Sequence, residues 1–98
     1  MNLPASLDAR VRKAVLGKID ETVSNVDEVL QIVQSLDHIP IESRNDFAFG
    51  IAIGRVYNSF HYQTRRALKR NATEEEFAEF LGILAKRAGE IKKALKQQ

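Results

Sequence analysis

The chain reads as an all-α protein, and three observations predict it. Apolar residues recur at steps of three and four over long stretches, capping signatures punctuate those stretches, and no run alternates apolar and polar residues for long enough to make a strand. The expectation is a single helical domain, 1–98, built as a three-helix up-down-up bundle with helices near residues 6–36, 43–70 and 73–96. Short connections then make sequential neighbours antiparallel.

The first helix follows from Leu7, Val11, Val15, Ile19, Val23, Val26, Leu30, Val33 and Leu36, all on one face, with Ser6 as its expected N-cap. Unbroken, it would run about 45 Å. Residues 22–25 are poor helix formers, and Asn25 followed by Glu28 resembles a second start. The reading favours one long helix with a soft spot there. Pro40 drives Ile39 out of helical geometry and closes this region.

Ser43 with Asp46 opens the second helix, although a start with Pro40 in the first turn is also open. It should end near Asn71, a residue tolerated in the left-handed conformation. Arg65, Arg66, Lys69 and Arg70 crowd its last turns, where cations meet the negative end of the helix dipole. Thr73 and Glu76 form a capping box for the third helix. Phe77, Leu81, Leu84, Ala88, Ile91 and Leu95 then step as a heptad seam, widened by Phe80 and Ile83.

Composition narrows the function classes. With 98 residues and 44% apolar content, a core is affordable only for one small domain. The chain has no cysteine, so it has no disulfide framework and no thiolate metal site. That suits a reducing, cytoplasmic setting, as does an opening Met1-Asn2-Leu3-Pro4 without the regions of a signal peptide. No uncharged run is long enough to span a membrane, so no membrane partner is expected. His38 and His61 lie far apart and no helical ligand pair accompanies them, so neither a metal nor another cofactor is expected. A net charge of +2 is low for a dedicated nucleic-acid binder.

Residues 47–54, Phe-Ala-Phe-Gly-Ile-Ala-Ile-Gly, carry nothing charged or polar. Two helical turns that are apolar all round should be buried all round. Two neighbouring helices of one small chain do not surround a third, so the expected cover is a second copy, with the second helices near a twofold axis. The five glycines all fall inside expected helices and together cost roughly 4 kcal/mol relative to alanine. Gly50 and Gly54 share a face, and Ala78, Gly82, Ala85 and Gly89 form a small-residue stripe, a pattern that lets helix backbones approach closely. The expected oligomer interface is therefore Phe47, Gly50, Ile51, Gly54, Gly82 and Gly89.

Arg55, Asn58, Tyr62, Arg65, Arg66 and Lys69 share the next face of the second helix, where forked Arg donors and a Tyr ring suit a phosphate or carboxylate. The plain alternative is a solvated face, or a polar layer that sets register. No serine or threonine has a visible base and orienting acid, so nucleophilic catalysis has no support. The best reading is a self-associating interaction or scaffold module, a homodimer that also contacts another protein in the scaffold case, rather than an enzyme.

One local resemblance points elsewhere. Arg55-Val56-Tyr57-Asn58-Ser59-Phe60-His61 resembles the Arg-x4–6-His motif of the HEPN family of small helical proteins. That resemblance implies an RNA-binding or RNA-cleaving protein with Arg55 and His61 as the catalytic pair, meeting their copies across a dimer. The match covers two identities, and Val56 stands where many members have a polar residue.

Overall fold

The computed structural model describes residues 7–97, which form four α-helices: α1 (Ala9–Ser24), α2 (Val26–Ser35), α3 (Arg44–Leu68) and α4 (Glu74–Lys96). The expected three helices are thus corrected to four, because the first breaks at Asn25. There the backbone leaves helical geometry at φ −121° and ψ 34°. The cause is local. Thr22 Oγ1 donates to the Lys18 carbonyl at 2.7 Å, and Asn25 Nδ2 donates to the Glu21 carbonyl at 3.0 Å. Side chains that bond back to the preceding turn compete with the helical ladder and bend it.

The caps are where short-range chemistry puts them, with two changes. Asp8, not Ser6, caps α1: its Oδ1 accepts from the N–H of Arg10 at 2.8 Å and of Val11 at 3.4 Å, while Ser6 lies outside the described residues. Arg10, whose side chain also bonds Asp8, holds the Asp8 carboxyl below its usual range. Ser43 Oγ accepts from the Asp46 N–H at 3.2 Å, as its spacing predicts. The left-handed residue that ends α3 is Lys69 (φ 58°, ψ 30°), two positions before the expected Asn71. Stopping there turns Arg70 back toward α4, where it grips Glu76.

Cross-helix pairs give the direction of each rod. Arg12 meets Glu79 at 3.2 Å and Asp20 meets Arg87 at 2.7 Å. The offset is 67 residues in both, so α1 and α4 run the same way. Phe60 stacks on Phe80 with centroids 4.3 Å apart, and Lys92 lies over the Phe49 ring at 5.8 Å. Those positions sum to nearly the same value, so α3 and α4 are antiparallel. Glu28 reaches Arg55 at 3.4 Å and ties α2 to α3. Both α1 and α2 pack against α3 and α4.

The core is one cluster. Val11, Val15 and Ile19 of α1 and Val26, Val29 and Val33 of α2 face Ala48, Ala52, Val56 and Phe60 of α3 and Phe80, Ile83, Ile91 and Leu95 of α4. Three expectations about it are corrected. First, α4 buries Glu76, Phe80, Ile83, Ile91 and Leu95 most deeply, while in the other half of the expected seam Phe77 and Leu84 are half-buried against the core and Ala88 is half-buried. Leu81 remains 44% exposed. The helix is rotated because Phe80 must reach the Phe60 ring and Glu76 must reach Arg70.

Second, residues 47–54 are not covered all round. Ala48 and Ala52 are fully buried, Phe47, Phe49, Ile51, Ile53 and Gly54 are half-buried, and Gly50 is exposed. Three helices of the same chain pack on α3, which is more cover than a three-helix chain provides. Third, the close approach within the chain uses alanine, not glycine. Ala48 and Ala52 face inward, whereas a Cβ added at Gly17, Gly50, Gly54, Gly82 or Gly89 would meet nothing within 4 Å.

Candidate functional site

The joint between α3 and α4 is the most tightly specified polar site. Glu76 is 3% exposed. Its Oε1 accepts from the Thr73 N–H at 2.7 Å, and Thr73 Oγ1 accepts from the Glu76 N–H at 3.1 Å, which completes the capping box. Arg70 donates Nη1 to Oε1 at 2.8 Å and Nη2 to Oε2 at 3.2 Å. The Arg70 fork, and after it the Thr73 N–H, hold the Glu76 carboxyl below its ordinary range against the opposing effect of burial. Both carboxylate oxygens of Glu76 are engaged within the chain, so the buried part of this site serves the joint.

The basic face of α3 is open. Asn58, Tyr62, Arg65, Arg66 and Lys69 are exposed, and Tyr62 at 56% is the most exposed of the large apolar-bodied side chains. Tyr57, Asn58, His61, Tyr62 and Arg65 line one shallow concavity. Lys18, Arg55, Asn58, Ser59, Tyr62 and Gln63 line another beside it. Among the described residues no carboxylate lies within 4.0 Å of Arg65, Arg66 or Lys69. Arg55 departs from this group: it is half-buried and turned to Glu28 of α2.

Arg55 and His61 are not brought together in one copy. Six helical residues set them about 120° apart around α3. His61 lies on the α4 side, in an aromatic nest: its ring is 4.7 Å from Tyr57, 4.9 Å from Phe60 and 5.9 Å from Phe77. Edge and tilted contacts of this kind fix a ring by packing. Among the described residues no cluster of three or more His, Cys, Asp or Glu is placed to hold a metal ion.

The third candidate is apolar and runs across α3 and α4. Gly50, Gly54, Tyr57 and His61 step by 4, 3 and 4 along the outer side of α3. Phe77, Leu81, Leu84 and Ala88 step likewise along α4, and Tyr57 touches Phe77 with centroids 6.3 Å apart, which joins the two stripes. Beside them lie Ala78, Gly82, Ala85 and Gly89, all exposed. None of these twelve residues is charged. Of the expected interface, Gly50, Gly54, Gly82 and Gly89 belong to this surface. Phe47 and Ile51 are half-buried and packed on the core instead.

Sequence periodicity contains the α4 half of this face but does not say which way it points. Steps of 4 and 3 at 77, 81, 84 and 88 mark an apolar stripe, and only the Phe60–Phe80 stack and the Glu76 grip turn it outward. No helix among the described residues is long and apolar enough to cross a membrane. Set against family models, curated proteins and solved structures, the chain matches none of them.

Proposed function

We propose that this chain is a self-associating helical interaction module that works by presenting and pairing its α3/α4 face, without catalytic chemistry of its own. One observation carries the reading: Tyr57 of α3 and Ala78, Leu81, Gly82 and Ala85 of α4 are exposed and uncharged, with Leu81 and Tyr57 each 44% exposed. An uncharged surface of that extent on a small domain marks a contact surface more often than a solvated one. The open space at Gly54 and Gly82 adds support, because helical glycine has a stability cost that no contact inside the chain offsets.

The test is mass in solution. Sedimentation equilibrium over a range of concentrations should show dimer dissociating to monomer. Gly54→Leu fits the isolated fold, since its Cβ meets nothing, and should shift that equilibrium toward monomer. A native chain that is monomeric at every concentration overturns the proposal.

A second reading is favoured by the uncompensated cations of Arg65, Arg66 and Lys69 beside Tyr62: weak binding of RNA phosphates and bases at that end of α3. It predicts affinity that falls steeply with salt and is lost in Arg65→Ala/Arg66→Ala. If RNA is not bound at low salt, that reading ends. The nuclease version needs Arg55 and His61 of different copies to meet, and it ends if Arg55→Ala and His61→Ala leave any RNA cleavage unchanged.

A further inference from the structure

The outer face of α4 carries more than small side chains: its charges are arranged to match themselves in one antiparallel register. Glu74 and Glu75 lie at one end of the face, and Lys92 and Lys93 at the other, all exposed. At 100° per residue, all four fall within about 50° of the line through Ala78, Gly82, Ala85 and Gly89. Pairing α4 with a twofold-related copy so that facing positions sum to 167 sets Ala78 against Gly89 and Gly82 against Ala85. In the same register Glu74 comes nearly level with Lys92 and Glu75 with Lys93, and each pair shares a flank of the crossing because eighteen residues make five full turns. A shift of one turn in one direction puts Glu74 opposite Glu90. A shift in the other puts Ala78 opposite Lys93 and leaves Glu74 facing Gln97.

We infer that the second copy docks through an antiparallel α4–α4 crossing centred between Ile83 and Leu84, with the acidic start of each helix against the basic end of the other. This rests on the self-association proposed above and names its partner, direction and register. Small residues at the crossing let the backbones approach. Each helix also sets the negative end of its dipole beside the positive end of its copy. Because α3 is antiparallel to α4, Tyr57 lies level with the same axis.

The chain has no cysteine, so single introduced thiols report the geometry cleanly. Ala78→Cys and Gly89→Cys both sit on exposed positions, and a side chain at Gly89 meets nothing in its own chain. The two variants are oxidised with diamide, separately and as an equimolar mixture. The inferred register brings position 78 of one copy to position 89 of the other. It holds like positions about 16 Å apart along the helices, beyond the reach of a disulfide. The expected result is a doubled-mass band in the mixture and background only in either variant alone.

Strong cross-linking of each variant by itself indicates a parallel pair and overturns the inference. No cross-link in the mixture, with the native chain still dimeric by sedimentation, overturns the register and leaves self-association standing. A native chain that stays monomeric overturns both. Charge reversal provides an independent measurement: Glu74→Lys/Glu75→Lys and Lys92→Glu/Lys93→Glu should each lose the homodimer and should recover a dimer when mixed. Homodimers that survive both reversals overturn the inference.

Discussion

Removing the Glu76 carboxylate should destabilise the fold far more than removing its partner. Glu76→Ala deletes the acceptor of the Thr73 N–H and of both Arg70 donors at a site that is almost fully buried. Thr73 Oγ1 still accepts from the residue-76 N–H, so the N-cap survives, and the lost reciprocal bond from the Thr73 N–H is worth about 1 kcal/mol. A charge-assisted bond from a buried carboxylate adds roughly 1.5–3 kcal/mol, but the Arg70 share is discounted because that side chain is 49% exposed to water. The total is about 2–3 kcal/mol, or a fall of roughly 10–20 °C in Tm for a domain of this size. Arg70→Ala should cost much less than Glu76→Ala, since the ion pair is screened by water and the capping box survives. Glu76→Gln should fall between, because an amide oxygen still accepts from the Thr73 N–H. Urea and thermal unfolding followed by circular dichroism measure all three. If Glu76→Ala costs no more than Arg70→Ala, the carboxylate is not the element that fixes the α3/α4 joint.

Acid should weaken the fold through the same group. The folded-state pKa of Glu76 lies below its unfolded value, so its contribution is fully present above the ordinary carboxylate range near 4.3 and is lost as pH falls through the folded value. Asp8 acts in the same direction. Unfolding free energy measured between pH 7 and pH 2 should therefore fall in acid, and Glu76→Gln should flatten that slope; an unchanged slope removes Glu76 from the account. Gly17→Ala should stabilise the chain by up to about 1 kcal/mol, because its Cβ meets open space in mid-helix. Ala52→Leu, forced into a fully buried position on the same kind of helix, should cost about 1–3 kcal/mol. Equal thermal shifts for the two would contradict the placement of alanine inside and glycine outside.

Helix starts are legible in the sequence because capping is short-range chemistry. Ser43 with Asp46 and Thr73 with Glu76 each specify a backbone N–H three residues away, and the structure pairs them at those positions. The break at Asn25 is half legible. Poor helix formers mark it, but whether the chain bends or stops depends on Thr22 and Asn25 taking carbonyls from the preceding turn. The end of α3 is not legible to the residue, because Asn71 and Lys69 are both near and a long-range partner decides. Arg70 is drawn to Glu76, and the left-handed turn falls just before it. Among site residues, Gly50, Gly82 and Gly89 are exposed and Gly54 is half-buried, while Phe47 and Ile51 are held by the core. Arg55 is separated from the basic face by Glu28, a partner that no local spacing announces.

The rotation of α4 is the point on which the functional reading turns. The helix carries two apolar stripes, one through Phe80, Ile83, Ile91 and Leu95 and one through Phe77, Leu81, Leu84 and Ala88. Periodicity alone accepts either as the core edge, since each keeps to one side of the helix. The fold takes the first because it satisfies a buried carboxylate and an aromatic stack at once, and an unpartnered Glu76 would cost more than an exposed Leu81. A chain with one apolar stripe would have no second face left after folding. This one leaves Leu81 and its small neighbours open, and the charges that frame them run from acidic at Glu74 and Glu75 to basic at Lys92 and Lys93. Folding buries the Phe80 stripe and half-buries the other, and Leu81 is the large apolar side chain of α4 that it leaves open for contact.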